Sequence, residues 1–133
     1  MADLDVVVVS PARPIYQGSA AWVAVPASDG ELGVRPGHAP LVAALGRGIL
    51  RIGQDGGKVD RFAVRGGFLR VGDNKVTVLV DSAVTKADAN PTEAQRDLDE
   101  TLEALQHPKT DAEYAELLDR RAWNESRIKL AGS

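Results

Sequence analysis

The chain has 133 residues, 44% of them hydrophobic, no cysteine and a net charge of −3. That length and composition fit a folded domain with a small appendage; they exclude thiol catalysis, disulfides and cysteine-held metals, and leave no electrostatic footprint for nucleic acid. No apolar run approaches the ~20 residues that span a bilayer, and Met1-Ala-Asp-Leu-Asp5 lacks the basic start and apolar core of a signal peptide, so membrane association is expected only through partners.

Leu4 to Val9 is a Val-rich run that predicts a strand. Ala21 to Val25 and Ile49 to Ile52 are short β-favouring segments, Val59 to Val64 and Phe68 to Val71 nearly alternate, and Val76 to Val80 is the strongest strand signal of all. Turn signals separate them at Asp29-Gly30, Asp55-Gly56-Gly57, Arg65-Gly66-Gly67 and Gly72-Asp73-Asn74. Short strands punctuated in this way predict a β-sandwich or barrel. The block Gly30 to Leu41 carries three glycines, two prolines and His38. Such a concentration of special backbone residues reads as one rigid loop, of the kind that presents a surface to a partner.

The pattern changes near Lys86 to Asn90. Residues 1–86 hold 10 Lys/Arg and 8 Asp/Glu, a balance of +2, whereas residues 87–133 hold 6 and 11, a balance of −5. Two helices are predicted in this acidic part. Asn90-Pro91-Thr92-Glu93 supplies a cap, a proline at the first helical position and an acid behind it. The apolar stripe Ala94, Leu98, Leu102, Leu105 follows, and Gln106-His107-Pro108 ends it. Thr110-Asp-Ala-Glu113 is a capping box for a second helix, with Tyr114, Leu118 and Ala122 on one face and Leu117 beside them. A hairpin with a connection of roughly four residues results. Its narrow stripes make it marginal alone, because helices gain most of their stability by packing.

Catalytic chemistry finds no support. His38 and His107 stand alone, without neighbours at metal-ligand spacing. No serine sits in a nucleophile elbow. Gly53 to Lys58 is too short for a phosphate loop and has Val59 where Ser or Thr belongs, so it reads as a hairpin turn. His38 has two readings, shaping its own loop or touching another protein. Trp22 reads as a core or half-buried strand residue. Trp123 either packs against the first helix or the sheet, or offers an aromatic anchor to a partner. Arg120, Arg121, Arg127 and Lys129 put positive charge in the second helix; they pair within the hairpin, or meet an acidic partner surface when it is extended.

The wording of the chain closely resembles the epsilon subunit family of F-type ATP synthases. The matching pieces are Leu4-Asp-Val-Val-Val8, Tyr16-Gln-Gly18, Gly30 to Leu41, Gly48 to Ile52, Gly66-Gly-Phe-Leu69 and Val76-Thr-Val-Leu79. The resemblance covers nearly the whole chain. It implies a ten-stranded N-terminal β-sandwich over residues 1–87, binding the gamma subunit and the c-ring, and a regulatory antiparallel two-helix hairpin over 88–133. It implies a non-catalytic rotor subunit of the central stalk, one copy per complex, coupling gamma to the c-ring for proton-driven ATP synthesis. It places the chain peripherally at the cytoplasmic face of the bacterial plasma membrane.

By position, Ser28, Asp29, Gly30 and Glu31 are implied as the c-ring contact. His38, Ala39, Pro40, Leu41, Val42, Ala43 and Arg65 are implied as the gamma contact. The hairpin is implied to extend towards the alpha and beta subunits and restrain ATP hydrolysis, with Arg120, Arg121, Trp123, Arg127 and Lys129 as its regulatory residues. Some family members bind ATP on the folded hairpin through a Leu/Ile-Asp-x-x-Arg-Ala motif. Here Thr92 stands at the Asp position and Gln95 at the Arg position, with Arg96 displaced by one residue and hence by ~100° around a helix. No cofactor is therefore expected. The competing reading is a stand-alone sandwich adaptor that binds partner proteins through its hairpin.

Overall fold

The structure is a computed structural model that describes residues 3–132. Met1, Ala2 and Ser133, the outer ends of the two expected segments, lie outside the described residues. Eight strands come first: β1 (Leu4–Val9), β2 (Pro14–Ala20), β3 (Trp22–Ala27), β4 (Gly30–Val34), β5 (Leu41–Ala44), β6 (Arg47–Gly53), β7 (Val59–Gly72) and β8 (Lys75–Thr85). Two helices follow, α1 (Pro91–Ala104) and α2 (Asp111–Ala131). A β-sandwich with a helical hairpin behind it is the class expected.

One hydrogen-bonded path runs β2-β1-β8-β7-β6-β3-β4, and β5 joins it on β7. The path becomes two layers because β7 and β8 each serve both. Residues 67–72 of β7 pair with 75–80 of β8, and this half carries β5 on one side and β1 on the other. Residues 59–65 of β7 pair with β6, which continues to β3 and β4. Between the halves the β7–β8 ladder lapses once, opposite Gly66 and Asp81. This corrects two expectations. Arg65-Gly66-Gly67 is not a turn between strands but a bend inside one strand, with φ of +67° at Gly66 and +119° at Gly67. The strand count is accordingly eight; ten is reached only by counting the halves of β7 and β8 separately.

The block Gly30 to Leu41 is also not a single loop. Its first five residues form edge strand β4, and only residues 35–40 are irregular before β5. Alternate strand residues point inward, and Leu4, Val6, Val8, Val23, Val25, Leu50, Ile52, Val64, Leu69, Val76 and Val78 fill the space between the layers. Among the described residues, no helical residue belongs to this core.

The helix caps are as expected. The Asn90 side chain accepts from Glu93 N, and that of Thr110 accepts from Glu113 N, both at 3.0 Å. Glu113 Oε2 reaches back to Lys109 N at 3.3 Å rather than to the cap residue. The connection is six residues, 105–110, not about four. The stripes are rotated from expectation. Ala94 and Thr101 are the buried residues of α1, and Leu117, Asn124, Ser126 and Leu130 those of α2. Leu102, Tyr114 and Leu118 are exposed. With 3.6 residues per turn, Thr101, seven residues after Ala94, stays on the Ala94 face better than Leu102 at eight. Inside this interface Arg127 lies between Glu93 and Asp97 of α1, at 3.8 and 3.6 Å, tying the two helices together.

Candidate functional site

Two outer faces of the sandwich carry the features of interest. The first is the outer face of the layer built from β5, the second half of β7, the first half of β8, and β1. Its register sets Ala44, Phe68, Leu79 and Val9 side by side across four strands. The next row is Val42, Arg70, Thr77 and Val7. Val42, Phe68 and Leu79 are 71%, 58% and 50% exposed. Large apolar side chains standing together on an exposed sheet face mark an interaction surface.

The loop 35–40 borders this face. It is pinned at Gly37, whose N–H donates to Asn74 Oδ1 at 2.7 Å, and Asn74 belongs to the tight β7–β8 turn, where Asp73 and Asn74 have φ of 51° and 59°. Two successive left-handed residues are what a two-residue hairpin turn requires. His38 is half-buried, its N–H donates to the Arg35 carbonyl, and its Nδ1 donates to the Ala39 carbonyl at 2.7 Å. The imidazole thus shapes its own loop. Ala39 and Pro40 are exposed, Leu41 and Ala43 are half-buried, and Val42 opens onto the patch. Phe68 and Leu79, the most prominent members, are not among the contact residues named from the sequence. Their signal was there: each stands in the outward phase of a strand, beside inward Leu69, Val78 and Val80, where a polar residue is usual.

Ser28 and Asp29 form the β3–β4 turn and Gly30 and Glu31 open β4, all four exposed. The turn is braced at both ends. Ser28 donates to the Ala44 carbonyl through N and Oγ, both at 3.1 Å, and Glu31 pairs with Arg51 at 2.6 Å. Arg51 also lies over the Trp22 ring, 5.5 Å from its centroid. Trp22 is half-buried and covers Gly53 so closely that no side chain fits there.

The second face, outside β6 and the first half of β7, is covered by α2. Arg65 belongs here and not with His38 to Ala43. Its guanidinium donates to Asp119 Oδ2 at 2.8 Å and lies over the Trp123 ring at 5.9 Å. Trp123 is half-buried against the sheet under this cation. Of the second-helix cations, Arg121 pairs with Glu125 one turn on at 2.9 Å, and Arg127 pairs with the acids of α1. Arg120 and Lys129 are exposed. No described helix is long and apolar enough to cross a membrane.

Comparison with known proteins agrees with this architecture. The family described as "ATP synthase, Delta/Epsilon chain, beta-sandwich domain" matches residues 3–86. The ATP synthase epsilon chain of Bacillus pumilus is 37% identical over 133 residues, 99% of each chain. That of Granulibacter bethesdensis is 41% identical over 98 residues, covering 74% of this chain and 73% of its own. Among solved structures, a chain of the Euglena gracilis mitochondrial ATP synthase, in an assembly of OSCP, F1 and c-ring, superposes with a TM-score of 0.86 at 25% identity, over 100% of this chain and 83% of that one. A chain from the central stalk and c-ring of the Tetrahymena thermophila enzyme shares the fold, with a TM-score of 0.67 at 15% identity over 96% of each. With the sandwich matched as a unit and a relative similar from end to end, the chain belongs to the ATP synthase delta/epsilon family, as a non-catalytic subunit of that complex.

Proposed function

We propose that this chain couples the gamma subunit to the c-ring in the central stalk, one copy per complex, and that its hairpin restrains ATP hydrolysis. The observation that carries the coupling role is the apolar row Ala44, Phe68, Leu79 and Val9, which offers gamma a broad, rigid face on the side away from the hairpin. A joint that transmits torque needs area on a stiff sheet more than one strong contact. Loop 35–40 and His38 extend this face, and the braced turn Ser28 to Glu31 meets the polar rim of the c-ring. The chain works peripherally, at the cytoplasmic face of the bacterial plasma membrane. The hairpin is the regulatory part, because its interface is small and rich in polar residues and the sandwich core stands without it. When extended it meets alpha and beta through exposed cations such as Arg120 and Lys129.

Hydrolysis by a reconstituted alpha-beta-gamma assembly tests both halves. The full chain should slow hydrolysis severalfold, whereas a chain ending at Ala87 should bind without slowing it. If neither form binds, the stalk role fails; if both bind and neither slows hydrolysis, the restraint fails alone.

The hairpin carries no ATP site in this reading. Gln95 donates to Asp99 at 2.9 Å, and Arg127 is already held between two carboxylates. A triphosphate would meet those acids first. Calorimetric titration should show no saturable binding tighter than about 1 mM, that is, less than about 4 kcal/mol. A micromolar isotherm would overturn this assignment.

A further inference from the structure

Asp119, Trp123, Ser126 and Leu130 are spaced four, three and four residues apart and therefore lie on one side of α2, the side from which Asp119 and Trp123 reach Arg65 of the sheet. Only two of the four are apolar, and Trp123 keeps part of its ring exposed. Beneath them the β6–β7 register sets Arg47 directly opposite Arg65, Ile49 opposite Ala63, and Arg51 opposite Arg61. Two guanidinium groups facing each other across neighbouring strands repel. Asp119 answers that repulsion. One of its oxygens faces Arg47 Nε and the other takes the hydrogen bond from Arg65, while its side chain is only 21% exposed. Arg65 then lies over Trp123 and binds the helix a second time, through the ring face.

We infer that Asp119, Arg47, Arg65 and Trp123 form an ionic latch that holds the hairpin down on the sandwich and releases it as a unit. The inference rests on the reading of the hairpin as a movable regulatory element. Three features carry it. Asp119 ties α2 to the sheet through both Arg47 and Arg65, whereas Arg51 pairs with Glu31 within the sandwich and Arg127 pairs within the hairpin. Its removal does more than delete an attraction, since it leaves Arg47 and Arg65 facing each other uncompensated. Arg127 keeps α1 and α2 together while Asp119 is free, so undocking does not need the helices to separate. Apolar docking gains little from low salt, but this contact is electrostatic and partly open to solvent, so its hold weakens as salt screens it.

The native chain has no cysteine, so spin labels can be placed at Lys58→Cys and Glu116→Cys, exposed positions on the β6–β7 turn and on α2. Pulsed electron paramagnetic resonance on the isolated full chain should give one narrow distance distribution at low salt. Asp119→Asn keeps the size and a hydrogen-bonding oxygen but loses the charge, and should raise the population at longer distances at least tenfold. About 1 M salt, with a Debye length of about 3 Å, should do the same to the unsubstituted chain and add little to the variant. Glu125→Gln, which breaks only the pair inside α2, should leave the distribution narrow. Circular dichroism should show helix content retained throughout. An unchanged distribution in Asp119→Asn, a broad one in the parent, or loss of helix content on substitution overturns the latch. Because no partner subunit is present, none of these outcomes depends on the stalk assignment, which can fail separately in the reconstitution.

Discussion

Replacing Phe68 and Leu79 together with glutamate should abolish stoichiometric assembly with gamma while leaving the domain folded. Phe68 is 58% and Leu79 50% exposed, so the fold has little to lose; exposed substitutions away from special features usually cost within about 0.5 kcal/mol. At the centre of an interface the same change is severe. Truncating a central apolar residue costs about 2 kcal/mol or more, and here two charges would also be buried without partners. Two such losses, at 1.4 kcal/mol per tenfold, weaken binding by about three orders of magnitude. Co-purification and a titration of labelled gamma both read this out, with a thermal melt as the folding control. Retained affinity would move the gamma surface elsewhere. Substituting His38 and Leu41 with aspartate should also weaken assembly, but less cleanly. His38 hydrogen-bonds its own loop and Leu41 packs against the core, so that variant disturbs the fold as well as the contact.

How far the sequence reveals these surfaces follows from the position of each residue. Strands β1, β3, β6, β7 and β8 are legible because each buries a face and shows it in its pattern. The edge strands β2 and β4 are not: with neighbours on one side only, they are short and broken by Pro14, Gly18, Gly30 and Gly33, so little apolar alternation is left to read. β5 is only four residues, all apolar, and has too little pattern to read. The bend at Gly66 and Gly67 looks like a turn in the sequence because bends and turns use the same residue. In the hairpin, the capping residues are local and were readable, but the packing stripe was not. Thr101 and Asn124 are buried in preference to Leu102 and Leu118, because hydrogen bonds inside the helix and the tie through Arg127 make a polar seam acceptable. Arg65 could not be assigned from its neighbours in sequence. Its partner Asp119 lies 54 residues away, and only the register of β6 on β7 shows why a carboxylate belongs there.

The bend itself is expected to be the least tolerant point of the domain. A Cβ on Gly67 would lie 1.9 Å from the Leu79 carbonyl oxygen, and the φ of +119° is one that side chains rarely adopt. Backbone on backbone has no flexible end to move aside, so Gly67→Ala must shift β7 against β8. Unfavourable dihedral and overpacking each cost about 1–3 kcal/mol, which sums to about 2–6 kcal/mol. For a chain of this size that lowers Tm by about 7–20 °C. The displaced strand carries Phe68 next to the substitution, and Phe68 pairs with Leu79 of β8, so gamma affinity should fall along with stability. Gly72→Ala is the internal comparison, since a Cβ there meets nothing within 4 Å and φ is ordinary, and its Tm should stay within a few degrees of the parent. Equal melting of the two variants would mean that the bend is not held by the Leu79 carbonyl. Loss of stability at Gly67 with gamma affinity intact would mean instead that the rows of the apolar face do not have to stay in register for gamma to bind.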